Sequence, residues 1–197
     1  ERVIQELELG ISYYQHGFLQ TNELFGNSPF KVKVDSSHAQ LTGIDFQLVV
    51  LNDQEFILTV SAEDKFPYDI QKEKLYKTVL ANIDLEQTYQ FDSKIESNFF
   101  SFSIEKTNLF NNKKIIENTK EYSFKLHQTD KLTNKLISAV TINPINKETS
   151  ILKLNIKGRT PKKNIEILNK LTETYIRSGL DEKNLMAINT IHFIDDQ

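Results

Sequence analysis

The chain lacks cysteine and tryptophan altogether, and it holds one methionine, four prolines, six glycines and three arginines in 197 residues. Each shortage excludes something. Without cysteine there is no disulfide scaffold and no thiolate zinc site. The glycines stand apart at 10, 17, 26, 43, 158 and 179. A phosphate-binding loop or a dinucleotide fingerprint needs them clustered, so that backbone N–H groups can approach phosphate. No apolar run approaches the ~20 residues that a bilayer crossing requires. Charge of one sign is also scarce: 24 basic residues face 27 acidic ones, for a net −3. That is far from the basic footprint of a nucleic-acid partner. With lysine so dominant over arginine, bidentate recognition of phosphate or carboxylate is poorly equipped.

What is present is ordinary core material. Hydrophobic residues make up 39% of the chain, with 13 Phe and 7 Tyr. A chain of this length buries roughly 70% of its unfolded surface. Residues 1–9 place Val3, Ile4, Leu7 and Leu9 at helical spacing before Gly10. The final residues, IHFIDDQ, again fall inside a helical pattern with no stop signal. Both ends therefore read as cut through helices, as in a piece of a longer protein. Residues 11–28, polar and aromatic with Gly17 and Gly26, read as loop. From Pro29 onward, alternation takes over. PFKVKVDS, IDFQLVVL and QEFILTVS read as strands, the last two as a hairpin around Asn52-Asp53. Weaker strand signals follow in LYKTVLA and TYQF, and stronger ones in FFSFSIEK and EYSFKLHQ, with NLFNNKK (108–114) as a turn. Thr129 or Asp130 caps a short helix through Ser138. AVTINPI and SILKLNIKG are extended.

Thr160 and Pro161 open the clearest element, since proline at the first helical position gives up no hydrogen bond. Ile165, Leu168, Leu171, Tyr175, Ile188, Ile191 and Ile194 form one stripe along a long helix, bent or unbent at Gly179. The expected architecture is α+β. A mainly antiparallel sheet carries an N-terminal helix and a long C-terminal helix packed on one side, in a single domain spanning 1–197. Within it, 1–9 is helix, 29–158 mostly β and 161–197 long helix.

The search for chemistry is thin. His192, Asp195 and Asp196 share a helical face, yet a solvated face explains them better than a metal. His38 near Asp35 is weaker. Ser12 and His16 lack the carboxylate and the elbow of a nucleophilic site. Glu63-Asp64 and Asp195-Asp196 read as solubilising charge rather than a glycosidase pair. No catalytic, cofactor or metal residue is assigned. Tyr13, Tyr14 and Tyr68 are the first choices for stacking on sugar rings, with pinning their loop to the sheet as the plainer role of Tyr13 and Tyr14, and core packing that of the Phe residues.

Several segments carry a family resemblance: ISYYQHGFLQTNELFGNSPFKV near the start, then INKETSIL, Gly158 with Pro161, LNKLTETY, GLDEKN and NTIHFIDDQ. Together they resemble the periplasmic domain of polysaccharide co-polymerases, the Wzz-like chain-length determinants. The Bacteroidetes-type exopolysaccharide form, often fused to a cytoplasmic tyrosine kinase, is the nearest in look. The motifs cover about half the chain, and 37–136 matches only as a run of strands. The resemblance implies a non-enzymatic module on the periplasmic face of the bacterial inner membrane, anchored by flanking spans. It implies homo-oligomeric rings, a polysaccharide polymerase and an outer-membrane exporter as partners, and control of exopolysaccharide or capsular chain length. Arg159, Arg177, Asp181, Glu182 and Lys183 are the candidate interface charges. Oligomerisation of the chain alone is expected to be weak, because membrane anchoring aids ring closure. The alternative is a carbohydrate-binding module contacting the growing polysaccharide. A third reading, a periplasmic hydrolase, is disfavoured by the motif survey.

Overall fold

The structure, a computed structural model, describes residues 1–76, 83–111, 115, 121–146 and 150–195. The fold is α+β, with mostly antiparallel sheets, a short N-terminal helix and a long C-terminal helix. The chain divides into two compact units: Leu9–Asn134, and Glu1–Glu8 together with Lys135–Gln197. No linker composition announces the division, because it falls inside a helix.

The larger unit is a two-sheet sandwich. One sheet runs β2 (Thr21–Glu23), β1 (Ile11–His16), β11 (Glu121–Leu126), β4 (Phe46–Val50), β5 (Glu55–Ala62), β8 (Ile83–Gln90). The other runs β3 (Phe30–Val34), β10 (Phe100–Lys106), β9 (Lys94–Ser97). A small pair, β6 (Tyr68–Asp69) and β7 (Lys74–Leu75), completes it. Every pairing is antiparallel. Alternation decides which side faces in. Phe46, Leu48 and Val50 are buried while Gln47 and Val49 face out, and Phe56, Leu58, Val60 and Ala62 follow the same rule on β5. The sheets meet through aromatic rings. Phe46 stacks on Phe124 at 4.8 Å and meets Phe100 and Phe102 edge-on at 5.4 and 5.3 Å. Such pairs add roughly 0.5–1.5 kcal/mol each beyond the area they bury.

A polar side chain with several partners is built into this interior. Gln40 is wholly buried. Its side-chain nitrogen donates to the carbonyls of Asp35, Ser101 and His38 (2.9, 3.0 and 3.2 Å), and its oxygen accepts from the Ser101 N–H at 3.3 Å. Its backbone exchanges two bonds with Tyr68. The loop between β3 and β4 is thereby fixed alongside its apolar anchors Leu41 and Ile44, which are buried in the core, and every polar group of the Gln40 amide has a partner.

The stretch 11–28 is not loop throughout. β1 pairs with β11 along its whole length and with β2 on its other side. Its sequence, ISYYQH, hides the strand because its outward side is polar; Tyr13, facing in, accepts a hydrogen bond from the Val32 N–H at 3.0 Å and packs edge-on against Phe30. TYQF is the end of the longer β8, and LYKTVLA contributes only Leu75 to β7, its residues 77–81 lying outside those described. In NLFNNKK, residues 108–109 form the turn and 112–114 lie outside those described.

The smaller unit contains α1 (Arg2–Glu6), the end of α2 (Thr129–Ala139), the hairpin of β12 (Val140–Pro144) and β13 (Leu152–Ile156), and α3 (Pro161–Asp195). α1 is shorter than the expected 1–9: it closes at Glu6, and Glu8 takes a left-handed φ of 50°. The hairpin pairs Val140 with Ile156, Ile142 with Leu154 and Pro144 with Leu152 on one face, Thr141 with Asn155 and Asn143 with Lys153 on the other. α3 packs against α1 and β13. It begins where expected, with the Asn164 N–H donating to the Thr160 carbonyl, and the Asn164 amide also reaches back to the Gly158 carbonyl at 3.1 Å. It passes through Gly179 without a break.

Candidate functional site

α3 buries little of itself. Ile167, at 3% exposure, is its one buried apolar residue among those described, with Leu168 and Leu171 half-buried beside it. The expected stripe began one step off: Ile165 and Tyr175 are exposed, and the packed side runs through 167, 171 and 174. The period was right but its phase was not, because α3 carries apolar residues on several sides and periodicity alone does not choose among them.

From Ser178 to Ile194 every residue is exposed. Leu180, Leu185, Met186, Ile188, Ile191, Phe193 and Ile194 all lie in this stretch. At about 100° per residue, Leu180, Ile191 and Ile194 share one side, Ile188 lies on a flank, and Leu185, Met186 and Phe193 point the opposite way. Large apolar side chains on several sides of a helix are covered where neighbours pack against it. Among the described residues no helix is long and apolar enough to cross a membrane. The sequence pattern showed the Ile residues but not the apolar side chains away from their stripe, which are Leu185, Met186 and Phe193.

The five candidate interface charges do not converge. Arg177 is engaged within its own unit: its guanidinium donates to the Glu6 carboxylate, which Lys170 also approaches at 3.4 Å. The bond from Arg177 holds the Glu6 carboxyl below its usual range, and Lys170 is raised chiefly by Glu173 at 2.7 Å. Arg177 therefore fastens α1 to α3, with Arg2 adding a 3.4 Å contact to Ser178. Asp181, Glu182 and Lys183 are exposed but consecutive, so they spread over about 200° of the helix. Arg159 precedes α3, and some 30 Å of helix separates its start from Asp181.

The three tyrosines part company. Tyr68 is 2% exposed, and burial raises its phenol. Tyr13 belongs to the core. Tyr14 alone of the three faces outward, half-buried on the far side of the six-stranded sheet. There it lies in a row with Ser123, Gln47, Thr59 and Glu86 on successive strands β11, β4, β5 and β8.

The same face holds two serine–histidine contacts. His16 Nε2 lies 2.8 Å from Ser123 Oγ and its Nδ1 3.1 Å from Thr21 Oγ1; His127 Nε2 lies 2.8 Å from Ser12 Oγ. The expected neighbours Ser12 and His16 thus take different partners. A nucleophile needs an accessible hydroxyl and a base oriented by a third group. Ser123 is fully buried, and the third group is a threonine hydroxyl rather than a carboxylate. These contacts tie β1 to its neighbours. They were invisible in the sequence, since 107 and 115 residues separate the partners.

His38 turns its Nδ1 to the Ala39 carbonyl at 2.7 Å. Asp35 is held below its usual range by the Ser37 hydroxyl and amide, and Lys94 stands 3.5 Å away. Glu63 and Asp64 are exposed, Asp64 with a left-handed φ of 48° in the turn after β5. His192 is exposed; the Asp195 side chain and Asp196 lie outside the described residues. Among the described residues no three metal-ligating side chains gather. No protein-family model matches the chain, and no curated protein matches it.

Proposed function

We propose that the chain is a non-enzymatic assembly module: the periplasmic part of an inner-membrane protein that sets the chain length and export of an exopolysaccharide or capsular polysaccharide through homo-oligomerisation. The observation that carries this reading is the second half of α3, which is exposed from residue 178 to 194 and carries large apolar side chains on several sides among its polar ones. Burying a side chain of the Leu, Ile, Phe or Met type contributes about 1.5–3 kcal/mol, so copies of this helix brought side by side gain from one another. Anchoring in a membrane raises their effective concentration and lowers the entropy cost of meeting. The assignment to polysaccharide export rests on the motif resemblance, and the polymerase and exporter partners follow from it. The test is genetic and chemical. Leu180→Asp with Ile191→Asp in the intact protein is expected to alter the length distribution of the surface polysaccharide on a gel. An unchanged distribution from a stably expressed variant speaks against the proposal.

A second reading has one observation in its favour. Tyr14 offers an outward ring amid hydroxyl, amide and carboxylate groups on a sheet face, the mixture that grips a sugar. Saturable binding of oligosaccharides prepared from the host's own polymer, lost in Tyr14→Ala, supports it; the absence of any binding removes it.

A further inference from the structure

We infer that the β1–β2 hairpin of the larger unit is a lipid-contacting wedge that inserts into the interface of a neutral bilayer. Its tip is Phe18-Leu19, 103% and 91% exposed, between Gly17 and Gln20, whose backbone closes the turn with an N–H to carbonyl bond of 3.0 Å. Two-residue hairpin loops favour Gly, Asn or Asp, because those residues accept positive φ. Neither Phe18 nor Leu19 has positive φ, so the turn itself does not call for these residues. The core does not use them either. A local choice that serves neither turn nor packing marks a surface with outside work to do.

The register places other apolar residues at the same end. β1 ends at His16 opposite Glu121, Glu121 pairs with Val49, and β4 then leads into Leu51, 42% exposed. Lys106, at the end of β10, donates to the Asp53 carbonyl at 2.7 Å, which brings exposed Leu109 to this end as well. The apolar groups project from separate loops at one end of the sandwich. A fluid interface receives apolar side chains from separate loops without a complementary pocket. The hairpin rungs beneath the tip, His16 with Thr21 and Gln15 with Asn22, carry no carboxylate or lysine, and the charged Glu121 and Lys106 of this end stand on other strands. The rungs match neutral headgroups and carbonyls and give no basis for recognition of an anionic lipid.

The chain has no tryptophan, so Phe18→Trp introduces a single indole reporter. With phosphatidylcholine vesicles its emission is expected to shift to the blue, and brominated acyl chains are expected to quench it. Leu19→Asp added to this reporter is expected to weaken partitioning about tenfold or more, with the melting curve unchanged because the side chain is exposed. Emission that ignores vesicles overturns the proposal, as does undiminished partitioning in the Leu19→Asp variant. A blue shift that instead follows protein concentration without lipid points to a protein partner and overturns it too. None of these outcomes depends on α3, so they are separate from the assembly reading.

Discussion

Replacing Ile167 with alanine asks whether the smaller unit depends on its own few buried contacts. Among its described residues, Ile4 and Ile167 are the buried hydrophobics, whereas the larger unit holds a continuous core around Phe46, Phe102 and Phe124. Ile→Ala removes three carbons, about 2.4 kcal/mol at ~0.8 kcal/mol per methylene. The cavity left behind raises the cost into the range of about 2–5 kcal/mol. A unit with two buried apolar side chains has little margin against such a loss. Hydrogen exchange followed by mass spectrometry is the assay. Amides of β12, β13 and the first half of α3 are expected to lose protection in Ile167→Ala, while β10 and β11 keep theirs. Equal loss across both units would refute the reasoning, since it would mean that they unfold as one. Retained protection in α3 would refute it as well, because the helix would then be held by something other than this contact.

Two smaller expectations follow from the same unit. A Cβ on Gly179 meets nothing within 4 Å, and glycine inside a helix costs up to about 1 kcal/mol relative to alanine; Gly179→Ala should raise the helical signal and its melting temperature, and a decrease would mean that the helix needs a break there. Glu6 has a depressed pKa in the folded state, so its contribution is present above its ordinary value of 4.5 and is lost as pH falls through the depressed one. Protection of the α1 amides should therefore decline on acidification in the natural sequence, without that step in Glu6→Gln, and a pH-independent α1 would contradict the role given to Arg177.

The strands were legible where apolar and polar residues alternate against one core, as in FKVKV, FQLVV and FSFSIEK. They were illegible in ISYYQH, whose outer side carries Tyr14 and His16 and whose place in the sheet is decided by β11, more than 100 residues away. Thr160 and Pro161 announced the start of α3 because the signals for a helix start are local. Its packed side was not announced, because Ile165, Ile167 and Leu168 are equally apolar and only tertiary contact selects Ile167. Tyr68 shows the same limit: a tyrosine beside Pro67 reads as exposed until its pairing with buried Gln40 is known. The charges proposed for an interface were chosen by type, and type does not reveal that Arg177 is already held by Glu6.

The central claim is that copies of α3 cover one another beyond residue 178. These 197 residues contain no cysteine, so a thiol introduced here is read against the intact protein without it, any cysteine elsewhere in that protein being replaced first. Ile191→Cys, placed in the intact protein in its membrane and treated with a short bifunctional maleimide, is expected to give dimers linked between identical chains. Thr88→Cys on the outer sheet face serves as the reference and is expected to give far fewer. If Ile191→Cys, Leu180→Cys and Phe193→Cys all remain monomeric while the thiols react freely with a soluble maleimide, the helix is not covered by its own kind and the assembly reading is wrong.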